Sequence, residues 1–155
     1  MTSDVEEARG QWRGFNNIGI AVTAIAAVLE NTRSLTLPKA MLIMPLVMHE
    51  ATLRYLANGN VRARRAAAFA IEYPEFIVNF DKRFDDSLVV SLNAIQFLTE
   101  TKHVEFAGSL NLLRSLKIDS SYGKRALLIE RASKNISALL SSADAELYLN
   151  LRVKL

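Results

Sequence analysis

The sequence contains no cysteine. That absence removes disulfides, thiolate nucleophiles, zinc ribbons and iron–sulfur clusters together, and it fits a reducing cytoplasm. Histidine is nearly missing as well: His49 and His103 stand far apart, without the close pairing that metal ligation demands. The six glycines are scattered, so no loop gathers backbone N–H groups around a phosphate, and no lysine-serine or lysine-threonine pair follows a glycine cluster. Neither a metal, a cofactor nor a nucleotide therefore has a carrier in the pattern, and no catalytic residue is assigned.

Long apolar runs are also lacking. The longest, Ala40 to Met48, is interrupted by Pro45 and falls short of the ~20 residues a membrane span needs; it reads as core, and no membrane association is expected. The start, Met1 to Gly10, carries Asp4, Glu6 and Glu7 rather than the basic-then-apolar order of a secretory signal, so a cytoplasmic location is expected. Charge of one sign does not dominate: 19 Lys and Arg against 16 Asp and Glu give +3, too slight an imbalance to imply nucleic acid on its own.

What remains is apolar. Half of the 155 residues are hydrophobic, enough to bury the core of one domain, and a mean hydropathy of +0.13 leaves a surplus suited to burial against a partner. Phe15, Ile18, Val22, Ile25 and Leu29 recur at helical spacing with Asn16, Thr23 and Glu30 on a polar stripe, predicting a central helix from Phe15 to Glu30. Asn31 to Thr36 reads as a polar loop. Thr36 is placed to cap a second helix with Pro38 in its first turn, and Pro45 should kink or split it. Asn58-Gly59 predicts a left-handed exit from the segment after His49. An alanine-rich helix from Asn60 should then carry Arg62, Arg64 and Arg65 and end before Pro74, which opens the next segment.

Asp85 and Asp86 before Leu88, Leu92 and Ile95, with Lys102 and His103 after them, predict a long helix aligned with its dipole. His103 to Phe106 and Leu110 to Leu112 alternate apolar and polar around Ala107-Gly108-Ser109, which predicts a β-hairpin. Tyr122 to Leu140 should form a helix with Ile129, Ala132, Ile136 and Leu139 inward. Ser141 with Asp144 resembles a capping box for a short terminal helix. The expected fold is mainly α with one β-hairpin (α+β), a compact helical domain whose helix–hairpin–helix C-terminal half is winged-helix-like. One domain spans 1–155, with a flexible lead at 1–13, helices over 14–100, the hairpin over 101–118, and helices and an apolar tail over 120–155.

Two sets of residues are candidates for binding. Leu149, Leu151, Val153 and Leu155 alternate along the tail and are expected to dock or to meet a partner protein. Arg62, Arg64, Arg65, Arg114, Lys117, Lys124 and Arg125 form the densest basic feature and could contact nucleic-acid phosphates. Glu72, Glu75 and Asp81 close by favour a solvated or salt-bridging face over DNA. His49 and Glu50 could imitate an acid/base pair, but neighbours on a helix point apart, and His49 reads instead as the polar end of the apolar segment. Lys82 and Arg83 among Asp81, Asp85 and Asp86 read as a solvated helix start. Tyr73, Phe76 and Phe80 read as core.

The order of segments resembles a known family. Asn16-Asn17 opens an apolar helix, Leu37-Pro38 leads through a run with one internal proline into His49-Glu50-Ala51-Thr52-Leu53-Arg54, and the chain closes on Ala145-Glu146-Leu147-Tyr148-Leu149-Asn150-Leu151-Arg152-Val153. This is similar to the middle component of the bacterial three-component ABC-ATPase systems, although Leu53 separates Thr52 from Arg54 and the closing motif is degenerate. The resemblance implies a non-enzymatic adaptor that needs no cofactor and joins an ABC-ATPase subunit to a third, effector component in a defence complex against phages and mobile DNA. DNA would then be reached through the complex. The alternative from the residues is a winged-helix DNA-binding transcriptional regulator.

Overall fold

Every residue from Ala21 to Leu29 is buried, and the other elements assemble around that stretch. The computed structural model describes residues 2–59 and 65–155, with side-chain surroundings for 17–59, 65–119 and 121–155. Helix α1 (Thr2–Thr32) leads into strand β1 (Ser34–Leu35), then α2 (Leu37–Ala40), α3 (Ile43–Val47), α4 (Glu50–Ala57), α5 (Ala66–Glu72) and α6 (Pro74–Ile77). The long α7 (Phe80–Glu100) precedes the hairpin β2 (Val104–Phe106) and β3 (Leu110–Leu112), and a 3-10 turn at Ser120–Tyr122 precedes α8 (Lys124–Leu139) and α9 (Asp144–Asn150). The molecule is mainly helical with a small antiparallel sheet, an α+β domain as expected.

Helix α1 is apolar over more than one face because it is central: it packs on α7 and α8 and also meets α3, β1 and β3. Thr23, expected on a polar stripe, is buried with its neighbours. The helix begins well before the predicted Phe15. Both partners contribute small buried residues, Ser87, Ser91 and Ala94 from α7 and Ala126, Ala132 and Ser133 from α8, so the helices can approach closely. Asn31 Nδ2 donates to Ser133 Oγ at 3.0 Å, fixing the end of α1 against α8. Full burial of a side chain such as Ile25 or Leu29 is worth about 1.5–3 kcal/mol relative to exposure.

Pro45 splits the second helix by a readable mechanism. Its ring cannot tolerate the carbonyl four residues earlier and it offers no N–H there, and the break falls at Met41 and Leu42, between α2 and α3. Thr36 caps α2 as predicted, its Oγ1 accepting from the Lys39 N–H at 3.3 Å. The exit from α4 differs from expectation: Asn58 is extended (φ −71°, ψ 120°) rather than left-handed. Asn60, Arg62 and Arg64 lie outside the described residues, and Arg65 stands at the N-cap of α5 rather than inside a helix. Pro74 opens α6, after which Asn79 (φ 60°) turns the chain into α7 five residues ahead of the predicted acidic start.

The hairpin forms where its alternation predicted, with Gly108 at φ 76° in the turn. A third strand joins it within the segment whose polarity predicts a loop. β1 pairs antiparallel with β3, giving the order β1-β3-β2, with Leu35 opposite Leu110 and Ser34 opposite Asn111. Leu35, Leu110 and Val104 are buried, while Ser34 Oγ donates to Asn111 Oδ1 at 2.8 Å. A lone hairpin is marginal; the third strand and the helices it rests on supply the missing burial.

In α8, Ile129, Ala132, Ile136 and Leu139 are buried, as predicted. The expected Ser141 cap is absent. Ser141 Oγ donates back to the Ala138 carbonyl at 2.7 Å, Ala143 is the N-cap of α9, and Asp144 accepts from Thr36 Oγ1 at 3.0 Å. Helix α9 ends with Arg152 left-handed (φ 59°). There the Arg152 N–H reaches the Leu149 carbonyl at 3.1 Å and the Val153 N–H reaches the Tyr148 carbonyl at 3.0 Å, the paired closing bonds of a Schellman motif.

Tyr148 ties this last helix to the start of α2, donating to the Pro38 carbonyl at 2.8 Å and meeting Phe84 edge-on at 5.5 Å. Burial, reinforced by the Asp144 carboxylate, pushes its phenol up to about 12. In the unfolded chain the phenol ionises near 10, so the native state holds its proton over a window where the unfolded state does not. Stability from this group is complete below about pH 10 and is lost as pH rises towards about 12. Urea titrations at about pH 8, below that window, and about pH 11, inside it, should show Tyr148→Phe starting about 1 kcal/mol weaker and declining less steeply than the wild type.

Candidate functional site

His49 and Glu50 do not face one another. His49 is at the N-cap of α4, its Nδ1 lies 2.6 Å from Thr52 Oγ1, and its ring meets Phe76 edge-on. Burial, then the charge of Arg83, holds its pKa below the ordinary 6.5. Glu50 turns the other way. Its Oε1 accepts from Arg54 Nε at 2.9 Å and its Oε2 from Arg125 Nη2 at 2.6 Å, and those bonds hold the carboxyl below its usual range. Among the described residues no three His, Asp or Glu side chains gather as metal ligands would.

His49 borders an aromatic cluster. Tyr55, Phe69, Tyr73 and Phe76 pack ring to ring, with Tyr73 and Phe76 stacked at 5.3 Å; these rings bind α4, α5 and α6 together. Phe80 is fully buried. Tyr73, Phe76 and Phe80 therefore serve the packing, as their spacing predicted.

Arg83 corrects the reading of a solvated helix start. Its Nε donates to the Pro45 carbonyl at 3.0 Å, Nη1 to that of Val78 at 2.9 Å and Nη2 to that of Phe76 at 3.0 Å. The guanidinium also lies over the Phe80 ring, 5.6 Å from its centroid. One fork thus fastens the free carbonyls around the end of α6 to the middle of α3. Lys82 does behave as a surface residue, pairing with Asp86 at 2.9 Å.

The described basic candidates do not form one face. Arg62 and Arg64 lie outside the described residues, and Arg65 is exposed before α5. Arg114 turns back on its own chain, where Nη2 donates to the Thr101 carbonyl at 3.0 Å. Lys117 is exposed in the loop after the hairpin. Among the described candidates only Lys124 and Arg125 come together, in a cleft of about 500 Å³ between α4 and α8 that is also lined by Glu50, Arg54, Leu128 and Arg131. Arg131 shares α8 with these two candidates, whereas Arg54 was missed because no local pattern links two helices so distant in sequence.

The apolar tail also divides. Leu151 is fully buried in the chain's own core and partly buried Val153 packs on that core, so these two residues are docked on the chain itself. Leu149 and Leu155 remain 79% and 99% exposed. Helix α9 packs against α5, whose Ile71 is 81% exposed, so two contacting helices each present a large bare aliphatic side chain. Further exposed apolar residues, Val89, Leu92 and Phe97, stand on α7. Among the described residues no helix is long and apolar enough to cross a membrane.

Comparison with known proteins places this architecture. No curated protein and no solved structure matches the chain. A family model described as ABC-three component (ABC-3C) system Middle Component 3 matches residues 20–155, a span that runs from the buried stretch of α1 through the end of the tail. The chain belongs to this family of ABC-three component system middle components.

Proposed function

We propose that the chain is a non-enzymatic adaptor that joins the ABC-ATPase component of its system to the third, effector component in a cytoplasmic antiviral complex. The family match over residues 20–155 carries this reading, because a middle component implies partner components. Two features of the chain support it. The side chains that could suggest chemistry are engaged in structural bonds: His49 with Thr52, Glu50 with Arg54 and Arg125, Arg83 with three carbonyls. Large aliphatic side chains meanwhile stand bare on contacting helices, Ile71 on α5 and Leu149 on α9, with Leu155 beyond. Isolated exposed aliphatics are ordinary on a soluble protein, but groups of them mark contact surfaces.

The test is binding to the ATPase component of the same system by size-exclusion chromatography. Both side chains are exposed, so Ile71→Asp with Leu149→Asp should leave folding intact. The account expects the wild type to co-elute with the ATPase and the double variant to separate from it. Co-elution of the folded double variant at wild-type strength would move the contact to another face, and failure of the wild type to bind at all would refute the adaptor reading. The winged-helix DNA reading has less behind it, since two of its five described basic candidates line the cleft.

A further inference from the structure

The cleft between α4 and α8 gathers four cationic side chains. Arg54, Lys124, Arg125 and Arg131 line it against one carboxylate, Glu50. Four cations against one carboxylate give the cleft an excess of +3, equal to the net charge of the protein. Glu50 is spent on Arg54 and Arg125. Among the described residues no acidic side chain pairs with Lys124 or Arg131. Two cations in the first turn of α8, which has no acidic residue there, run against the helix dipole, an arrangement whose repulsion an incoming anion relieves.

We propose that this cleft docks a short acidic segment of a partner protein, one whose carboxylates flank an apolar side chain. Three observations favour a peptide over a phosphate backbone. First, the resident occupant is itself a carboxylate: Glu50 bridges two guanidinium groups, one through each oxygen, and shows the geometry that a partner's Asp or Glu would adopt with Arg131 and Lys124. Second, half-buried Leu128 lies between the cations, an apolar floor for which a phosphate chain has no complement. Third, the cleft is short. Lys124 to Arg131 covers about 10 Å along the helix, the reach of three extended residues, whereas avid DNA binding neutralises roughly six to ten phosphates. This surface is separate from Ile71 and Leu149, so it extends the adaptor reading by naming the chemistry of a second contact and does not depend on the first.

The test uses three fluorescein-labelled probes on the full chain at low and moderate salt. They are a Glu-Glu-Leu-Glu-Glu peptide, its Gln-Gln-Leu-Gln-Gln counterpart, and a short single-stranded DNA. The proposal expects the acidic peptide to bind with an affinity that falls as salt rises, and the amide peptide to bind at least tenfold more weakly. Lys124→Glu with Arg131→Glu, both exposed, should weaken acidic-peptide binding at least tenfold with circular dichroism unchanged. Glu50→Gln should strengthen it severalfold, because it frees Arg54 and Arg125; a purely structural ion pair would give no such gain. Equal binding of both peptides, indifference to the charge reversals, or tighter binding of DNA than of peptide would overturn the proposal. The Ile71→Asp, Leu149→Asp chain should keep peptide binding, so failure of the ATPase contact and failure of this one are read separately.

Discussion

Arg83→Ala is expected to lower the folding free energy by about 3 kcal/mol, the largest effect of any exposed or half-exposed position described. The estimate follows from what the guanidinium does. It donates to three backbone carbonyls, those of Pro45, Phe76 and Val78, and a bond from a charged donor contributes about 1.5–3 kcal/mol. The three bonds share one side chain and do not add fully. Truncation also leaves the carbonyls at the end of α6 without a protein donor. For a chain of this size about 3 kcal/mol corresponds to a fall in Tm on the order of 10 °C. Arg83→Lys should recover less than half, because an ammonium cannot reproduce a planar fork reaching α3 and α6 at once. Thermal unfolding of the three proteins checks this; a Tm for Arg83→Ala within about 2 °C of wild type would mean that the fork is dispensable.

The second large effect concerns the tail. Leu151→Ala should cost about 3 kcal/mol, within the 2–5 kcal/mol seen when a buried leucine is truncated, since Leu151 is fully buried. Leu155→Asp, four residues on and almost wholly exposed, should change stability by no more than about 0.5 kcal/mol. A truncation after Asn150 therefore unfolds the C-terminal end instead of reporting on a partner contact, and the informative variants are at Leu149 and Leu155. Urea midpoints of the two point variants decide it: equal midpoints would contradict the placement of Leu151 in the core.

These two residues also show why parts of the fold were legible in the sequence and others were not. The stretch around Ile25, the split at Pro45, the hairpin at Gly108 and the inward face of α8 all follow from signals within one element. Arg83 does not. Its nearest sequence neighbours, Asp81, Lys82, Asp85 and Asp86, describe a wet helix start, and nothing local reveals a carbonyl 38 positions away. In the tail, Leu149, Leu151 and Val153 carry a period of two, while Leu147 and Leu151 carry the helical spacing of four. The helical reading wins because α9 runs to Asn150 and turns back at Arg152, which buries the second pair.

β1 was invisible for a related reason. Two residues are too few for any periodicity, and Leu35 becomes a strand residue only through Leu110, 75 positions later along the chain. The site was legible by half. Lys124 and Arg125 were among the basic candidates, but Arg54 and Arg131 complete the cleft from outside that cluster. The family, by contrast, was readable from segment order, in Leu37-Pro38, Pro45 and the His49 to Arg54 stretch.

The most direct measurement is co-purification of the three components of the system with and without this chain. An adaptor predicts that the tagged ATPase component retains the effector component only when the chain is present, in a complex of fixed stoichiometry. An ATPase that holds the effector equally well in the chain's absence, with the chain eluting alone, would contradict the account.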